Sequence, residues 1–105
     1  MESALKALAE PRRIEILRVI GPDEIAAGEI AKHFNATRPA ISQHLRVLVD
    51  AKLIAERREG TRRLYRVRHE TFAELTGFLE NLWDARLSRL KQVVENDARV
   101  KRRRR

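Results

Sequence analysis

NATRPAISQHLRVLVDAKLIAERREGTRRLYRVR, residues 35–68, changes its periodicity partway along. Thr37 suits a helix N-cap, and Pro39 then falls in the first turn, where its missing N–H costs little. At about 100° per residue, Ile41, Leu45 and Leu48 lie within roughly 40° of one direction, with Pro39, Ser42, Gln43 and Arg46 opposite. That polar face is neutral to basic and rich in hydrogen-bonding groups. It suits a helix presented to base edges and phosphates in a major groove, and it equally suits the solvated side of an ordinary amphipathic helix. From Leu53 the pattern alternates at period two around Glu59-Gly60-Thr61, which predicts a β-hairpin. Tyr65 and Val67 point one way, and Arg62, Arg66 and Arg68 the other. Arg57, Arg58, Arg62 and Arg63 crowd the tip, where four cations repel one another unless an anion sits among them. A blunted sheet edge is the plainer reading of such a hairpin.

Upstream, MESALKALAEPRRIEILRVI predicts two short helices hinged at Pro11, with Ala4, Leu5 and Leu8 on one apolar face and Ile14, Leu17, Val19 and Ile20 on the other. GPDE is a turn, and IAAGEIAKHF reads as a short helix with Ile30, Ala31 and Phe34 inward, stopping near Asn35 in a left-handed conformation. Downstream, about Thr71 to Asn96 predicts roughly 39 Å of helix. Its apolar face, from Phe72 to Val94, is broader than a small body can cover. A helix folded back on its own domain is one use of that face; an interface with a second copy, shared with the N-terminal helix, is the preferred one.

The chain has 105 residues, 43% of them hydrophobic, which is one domain's worth and argues against disorder. It has no cysteine, so disulfides and thiolate metal sites are excluded. No apolar run approaches the ~20 residues of a membrane span and no signal peptide is visible, so a cytoplasmic location is expected. The net charge of +8 is unevenly placed. Residues 38–68 carry nine Lys and Arg against three Asp and Glu, and residues 99–105 carry six cations and no acid. Residues 1–98 are therefore expected to form the folded domain and 99–105 a basic, disordered tail.

A short helix, a turn, a groove-shaped helix and an arginine-tipped hairpin in series make a winged helix-turn-helix: mainly α, with a small β-hairpin and a long C-terminal dimerisation helix. LAEPRRIEILRVI, GEIAKHF, TRPAISQHLRVLVDAKLIAERREGTRRLYRV and the trailing helix resemble the ArsR/SmtB-type bacterial transcriptional repressors over nearly the whole chain apart from the tail. The resemblance implies a homodimer that binds double-stranded DNA at an inverted repeat, with the Ser42 and Gln43 helix as reader and the hairpin as wing. Thr37, Arg38, Ser42, Gln43, His44, Arg46, Arg57, Arg58, Arg62 and Arg63 are the expected DNA-contacting residues. Leu5, Leu8, Leu75, Leu79, Leu82, Trp83, Leu87 and Leu90 are the expected dimer contacts.

Some members of that family sense metals. Their Cys-x-Cys pair falls here on Ala26 and Gly28, which have no ligating atoms, and beyond His69 the chain has no histidine. His33, His44 and His69 sit on separate predicted elements without ligand spacing, so no metal and no cofactor is expected. Four scattered glycines and no cysteine assemble no catalytic constellation, and an enzyme is excluded. The few aromatics occupy core or interface positions, which disfavours RNA binding. The alternatives are a winged helix used for protein contacts, or a repressor controlled by an organic ligand or a partner protein. The operator, the regulated genes and the effector are not legible in the residues.

Overall fold

The computed structural model describes the backbone of residues 1–103 and the side chains of residues 1–98. Its elements are α1 (Glu2–Leu8), α2 (Pro11–Ile20), β1 (Ile25–Ala26), α3 (Ala27–Lys32), α4 (Arg38–Asp50), β2 (Ile54–Glu59), β3 (Arg62–Val67) and α5 (His69–Arg103). They form two compact units, Met1–Ala73 and Glu74–Arg105, so the division falls inside α5. The helical backbone also runs past Asn96 to Arg103, because Ala98, Lys101 and the arginines are good helix formers and nothing breaks the pattern. The side chains of residues 99–103 and the whole of residues 104–105, which complete the expected basic tail, lie outside the described residues.

In the first unit, Pro11 opens α2 at a position that needs no donor, and Gly21 closes it at φ 63, a left-handed value that favours glycine. Ile16, Ile30, Leu45, Leu48, Leu53 and Ile54 are the largest fully buried side chains, and each contributes about 1.5–3 kcal/mol by leaving water. The inward stripe of α2 is Ile16 and Ile20, while Ile14, expected inside, is 38% exposed. Helical periodicity identifies a stripe but leaves its rotation against the neighbours to packing. On α4 the stripe is the expected one, and Ile41, Leu45 and Leu48 are all buried.

The hairpin of β2 and β3 gains a third strand. The sheet order is β1-β3-β2, with Ile25 opposite Tyr65 and Ala26 opposite Leu64. β3 is thus central, and Leu64 and Tyr65 are both buried although they point to opposite faces. The first two residues of IAAGEIAKHF therefore form a strand, and α3 ends at Lys32. Asn35 does not take the left-handed conformation expected of it; among the described residues positive φ occurs at Gly21, Gly60 and Lys52 alone.

Lys52 closes α4. The Lys52 N–H bonds Val49 O at 2.9 Å and the Leu53 N–H bonds Leu48 O at 3.0 Å, the paired bonds of a Schellman cap, with lysine where glycine is usual. Thr71 Oγ1 donates to Lys52 O at 2.6 Å, and the Arg68 N–H bonds Leu53 O at 2.9 Å. These bonds fix the path from α4 to the hairpin and from the hairpin to the start of α5.

The second unit is the remainder of α5. A lone helix has no core of its own, and Leu79, Leu82, Trp83, Leu87 and Leu90 are exposed, Trp83 by 61%, whereas Leu75 is buried. In α1, Leu5 is exposed and Leu8 partly buried. None of the described helices is long and apolar enough to cross a membrane.

Candidate nucleic-acid interface

Thr37 has an extended backbone, and its Oγ1 accepts the Ala40 N–H at 3.2 Å, so the start of α4 is capped locally as its sequence predicts. With Ile41, Leu45 and Leu48 turned inward, Arg38, Ser42, Gln43 and Arg46 are left exposed. Strands β2 and β3 pair from Ile54 opposite Val67 to Glu59 opposite Arg62, and Gly60 turns the tip at φ 62. The wing therefore stands beside the exposed face of α4.

Two clefts lie between them. One, of about 470 Å³, brings Arg38 and Ser42 of α4 together with Arg62 and Arg63 of β3 and with Ala26 and Gly28 at the start of α3. The other, of about 390 Å³, joins Ser42, Gln43 and Arg46 to Arg63. Ser42, Arg63 and Tyr65 line both clefts. Six of the ten expected DNA-contacting residues thus form one continuous surface. Burial and the neighbouring Glu56 carboxylate push the Tyr65 phenol above its ordinary pKa, so it stays neutral as the floor of both clefts.

The other four residues are placed differently. Thr37 is engaged as the cap. His44 is half-buried and its Nδ1 faces Arg13, whose Nη1 lies 3.5 Å away while its Nε donates to Ala7 O at 2.6 Å. Arg58 lies on the wing directly across from Arg63, two like charges on one face of a strand pair. Arg57 is bound within the chain: it donates to Glu24 at 2.8 and 2.6 Å and to Glu59 at 3.1 Å. The guanidinium hydrogen bonds hold the Glu24 carboxyl below its usual pKa, with burial opposing and Coulomb attraction assisting. The crowd of four free cations at the wing tip is therefore reduced by the protein's own carboxylates.

Among the described residues, Arg38, Arg46, Arg58 and Arg62 have no ion pair or hydrogen-bond partner, and Arg63 approaches Glu56 only at 3.9 Å. Unneutralised guanidiniums on one surface supply counterion release on a polyanion, and the side chains of α4 between them can address base edges. Thr61, a turn residue, and Glu24, within GPDE, were not among the expected site residues. Neither has a local signal in the sequence, since both acquire their neighbours through strand pairing.

A helix-turn-helix domain family matches residues 8–57. An HTH-type transcriptional regulator of Mycobacterium tuberculosis is 34% identical over 96 residues, which cover 91% of this chain and 90% of that one. An arsenical resistance operon repressor of Staphylococcus aureus is 30% identical over 96 residues, covering 91% and 89%. Among solved structures, a homodimeric winged helix-turn-helix DNA-binding domain from Mycobacterium bovis is 34% identical, covers 79% of this chain and 77% of its own, and superposes with a TM-score of 0.64. Exposed Ser42 and Gln43 on α4, the arginine-bearing wing beside them and these relatives lead to one conclusion: the chain belongs to the ArsR/SmtB-type winged helix-turn-helix transcriptional repressors, which bind DNA and are not enzymes.

Proposed function

We propose that the protein acts as a homodimer on an inverted-repeat operator and that it does not respond to metal ions. The observation that carries the DNA reading is the joining of Ser42, Gln43 and Arg46 to Arg38, Arg62 and Arg63 across two adjoining clefts. Phosphate contacts from the arginines supply most of the affinity, and Gln43 with Ser42 supplies sequence choice. Two such surfaces related by a two-fold axis address successive major grooves about 34 Å apart. The exposed leucines and Trp83 of α5 are a surface for the second copy, and Leu5 and Leu8 of α1 are further contacts with it, in keeping with the homodimeric Mycobacterium bovis domain.

Metal independence is supported by chemistry. Ala26 and Gly28 carry no ligating atoms, and the cleft they line is occupied by arginines, which repel a cation. The basic residues 99–105 add non-specific attraction to DNA.

The test is a salt-dependent gel shift and footprint with the promoter-proximal DNA of the protein's own gene. A protected inverted repeat with half-sites one helical turn apart supports the reading. Binding to every duplex alike, with no protected site, rejects sequence-specific repression and favours use of the winged helix for protein contacts.

A further inference from the structure

The larger cleft, between α3, α4 and the wing, has a volume in the range of small-molecule sites. Its cations arrive from two elements, Arg38 from the first turn of α4 and Arg62 and Arg63 from β3. Arg38 and Arg62 have no partner among the described residues. The carboxylate at this cleft, Glu29, is taken by Lys32 at 3.0 Å. The Ser42 and Thr61 hydroxyls add neutral donors. A Cβ on Gly28 would lie 3.9 Å from Arg38 Nη1, so the missing side chain leaves the wall beside that guanidinium open. Arg38 and Arg62, unpaired, and Arg63, which meets Glu56 only at 3.9 Å, leave this hollow with an excess of positive charge that an anion would offset.

We propose that this cleft binds a small phosphate monoester, and that the bound ester competes with DNA for Arg38, Arg62 and Arg63; the competition, though not the binding, rests on the DNA reading above. A phosphoryl group offers three non-bridging oxygens, enough for more than one guanidinium fork and a hydroxyl, whereas a carboxylate offers two oxygens and a single charge. The cleft is far larger than a phosphoryl group, which leaves space for an organic body against Ala26, Ala27 and Tyr65. A monoester carries a charge of about −1.5 to −2 at pH 7, against one charge per backbone phosphate of DNA, so phosphate for phosphate it attracts the shared arginines more strongly. Its accumulation would release the repressor without any metal or thiol chemistry.

Glucose 6-phosphate serves as the probe, with glucose plus sodium chloride at matched ionic strength as the control, on the full-length protein. Thermal unfolding without DNA reads binding directly, and the wild type is expected to gain melting temperature with the phosphate ester alone. Gly28→Leu fills the open wall and Gly28→Asp sets a carboxylate beside Arg38; both are expected to lose that gain. Two variants guard against one failing to fold. At a ligand concentration about ten times its own Kd, simple competition raises the apparent Kd for DNA about tenfold in the wild type and not in Gly28→Leu. No gain in the wild type, or an equal gain in both folded variants, overturns the site. A gain with unchanged DNA affinity overturns the competition. Absence of DNA binding in ligand-free wild type is a separate result, and rejects the DNA reading instead.

Discussion

Arg57 of β2 reaches across the central strand of the wing to Glu24, which it holds through two hydrogen bonds of 2.8 and 2.6 Å. Of the arginines expected to contact DNA, it is the one hydrogen-bonded to carboxylates, whereas Arg63 meets Glu56 only at 3.9 Å. Its neighbour Arg62 has no such partner among the described residues. Arg57→Ala should therefore leave the salt dependence of DNA binding nearly unchanged. Replacing Arg58 and Arg62 together should weaken operator and random DNA alike and flatten the slope by about one unit for each phosphate no longer neutralised. Equal effects of both substitutions, in titrations at two salt concentrations, would show that Arg57 leaves Glu24 to bind DNA.

The same pair predicts a pH effect. Because the folded Glu24 pKa lies below its ordinary value of 4.5, the pair stabilises the fold above that pH. The contribution disappears as pH falls further, through the depressed folded value. Glu24→Gln should consequently lose some stability at pH 7 and almost none near pH 2, so its urea midpoint should approach that of the wild type on acidification. An unchanged gap at both pH values would contradict the assignment.

Gln43 and the basic C-terminus should separate specificity from affinity. A glutamine on the groove face can pair bidentately with an adenine edge, so Gln43→Ala should cost about 1–3 kcal/mol per half-site on the operator and much less on random DNA. Deleting residues 99–105 should lower affinity for both duplexes and reduce the salt slope, with discrimination kept. If the deletion abolished discrimination and Gln43→Ala preserved it, α4 would not be the reader.

The exposed apolar face of the second unit predicts assembly. The wild type should sediment as a dimer at micromolar concentration, and Leu82→Glu or Leu90→Glu should dissociate or unfold it, since each would bury an unpaired charge in an apolar contact. A monomeric, fully folded wild type would remove α5 from the interface.

Lys52, at φ 63, sits where glycine relieves strain. Lys52→Gly should stabilise the protein by about 1 kcal/mol, because a left-handed residue with a side chain costs roughly 1–2 kcal/mol and glycine is restrained here by the Schellman bonds. Chemical denaturation decides it; a destabilised variant would mean that the side chain contributes more than the backbone strain costs.

Elements whose causes are local follow from the residues alone. Thr37, Pro39 and the spacing of Ile41, Leu45 and Leu48 specify α4 within one stretch of chain, and the β-type run turning at Gly60 specifies the wing, so the exposed face holding Ser42 and Gln43 is legible in the amino-acid order itself. The run of apolar residues along α5 is legible for the same reason. Features that depend on distant segments meeting arise only in the folded chain. Ile25 and Ala26 are too short to show a strand period, and become β1 only by bonding to β3. Ile16 displaces Ile14 from the core because packing sets the rotation of α2. Glu24 is 33 residues from Arg57, and Gly28 is far in sequence from Thr61 and Arg62, so neither the ion pair nor the arginine-lined cleft has a signature in any window of sequence. Helical and strand periods record what a residue does relative to its near neighbours; charge pairing and cavities record which surfaces the completed fold brings together.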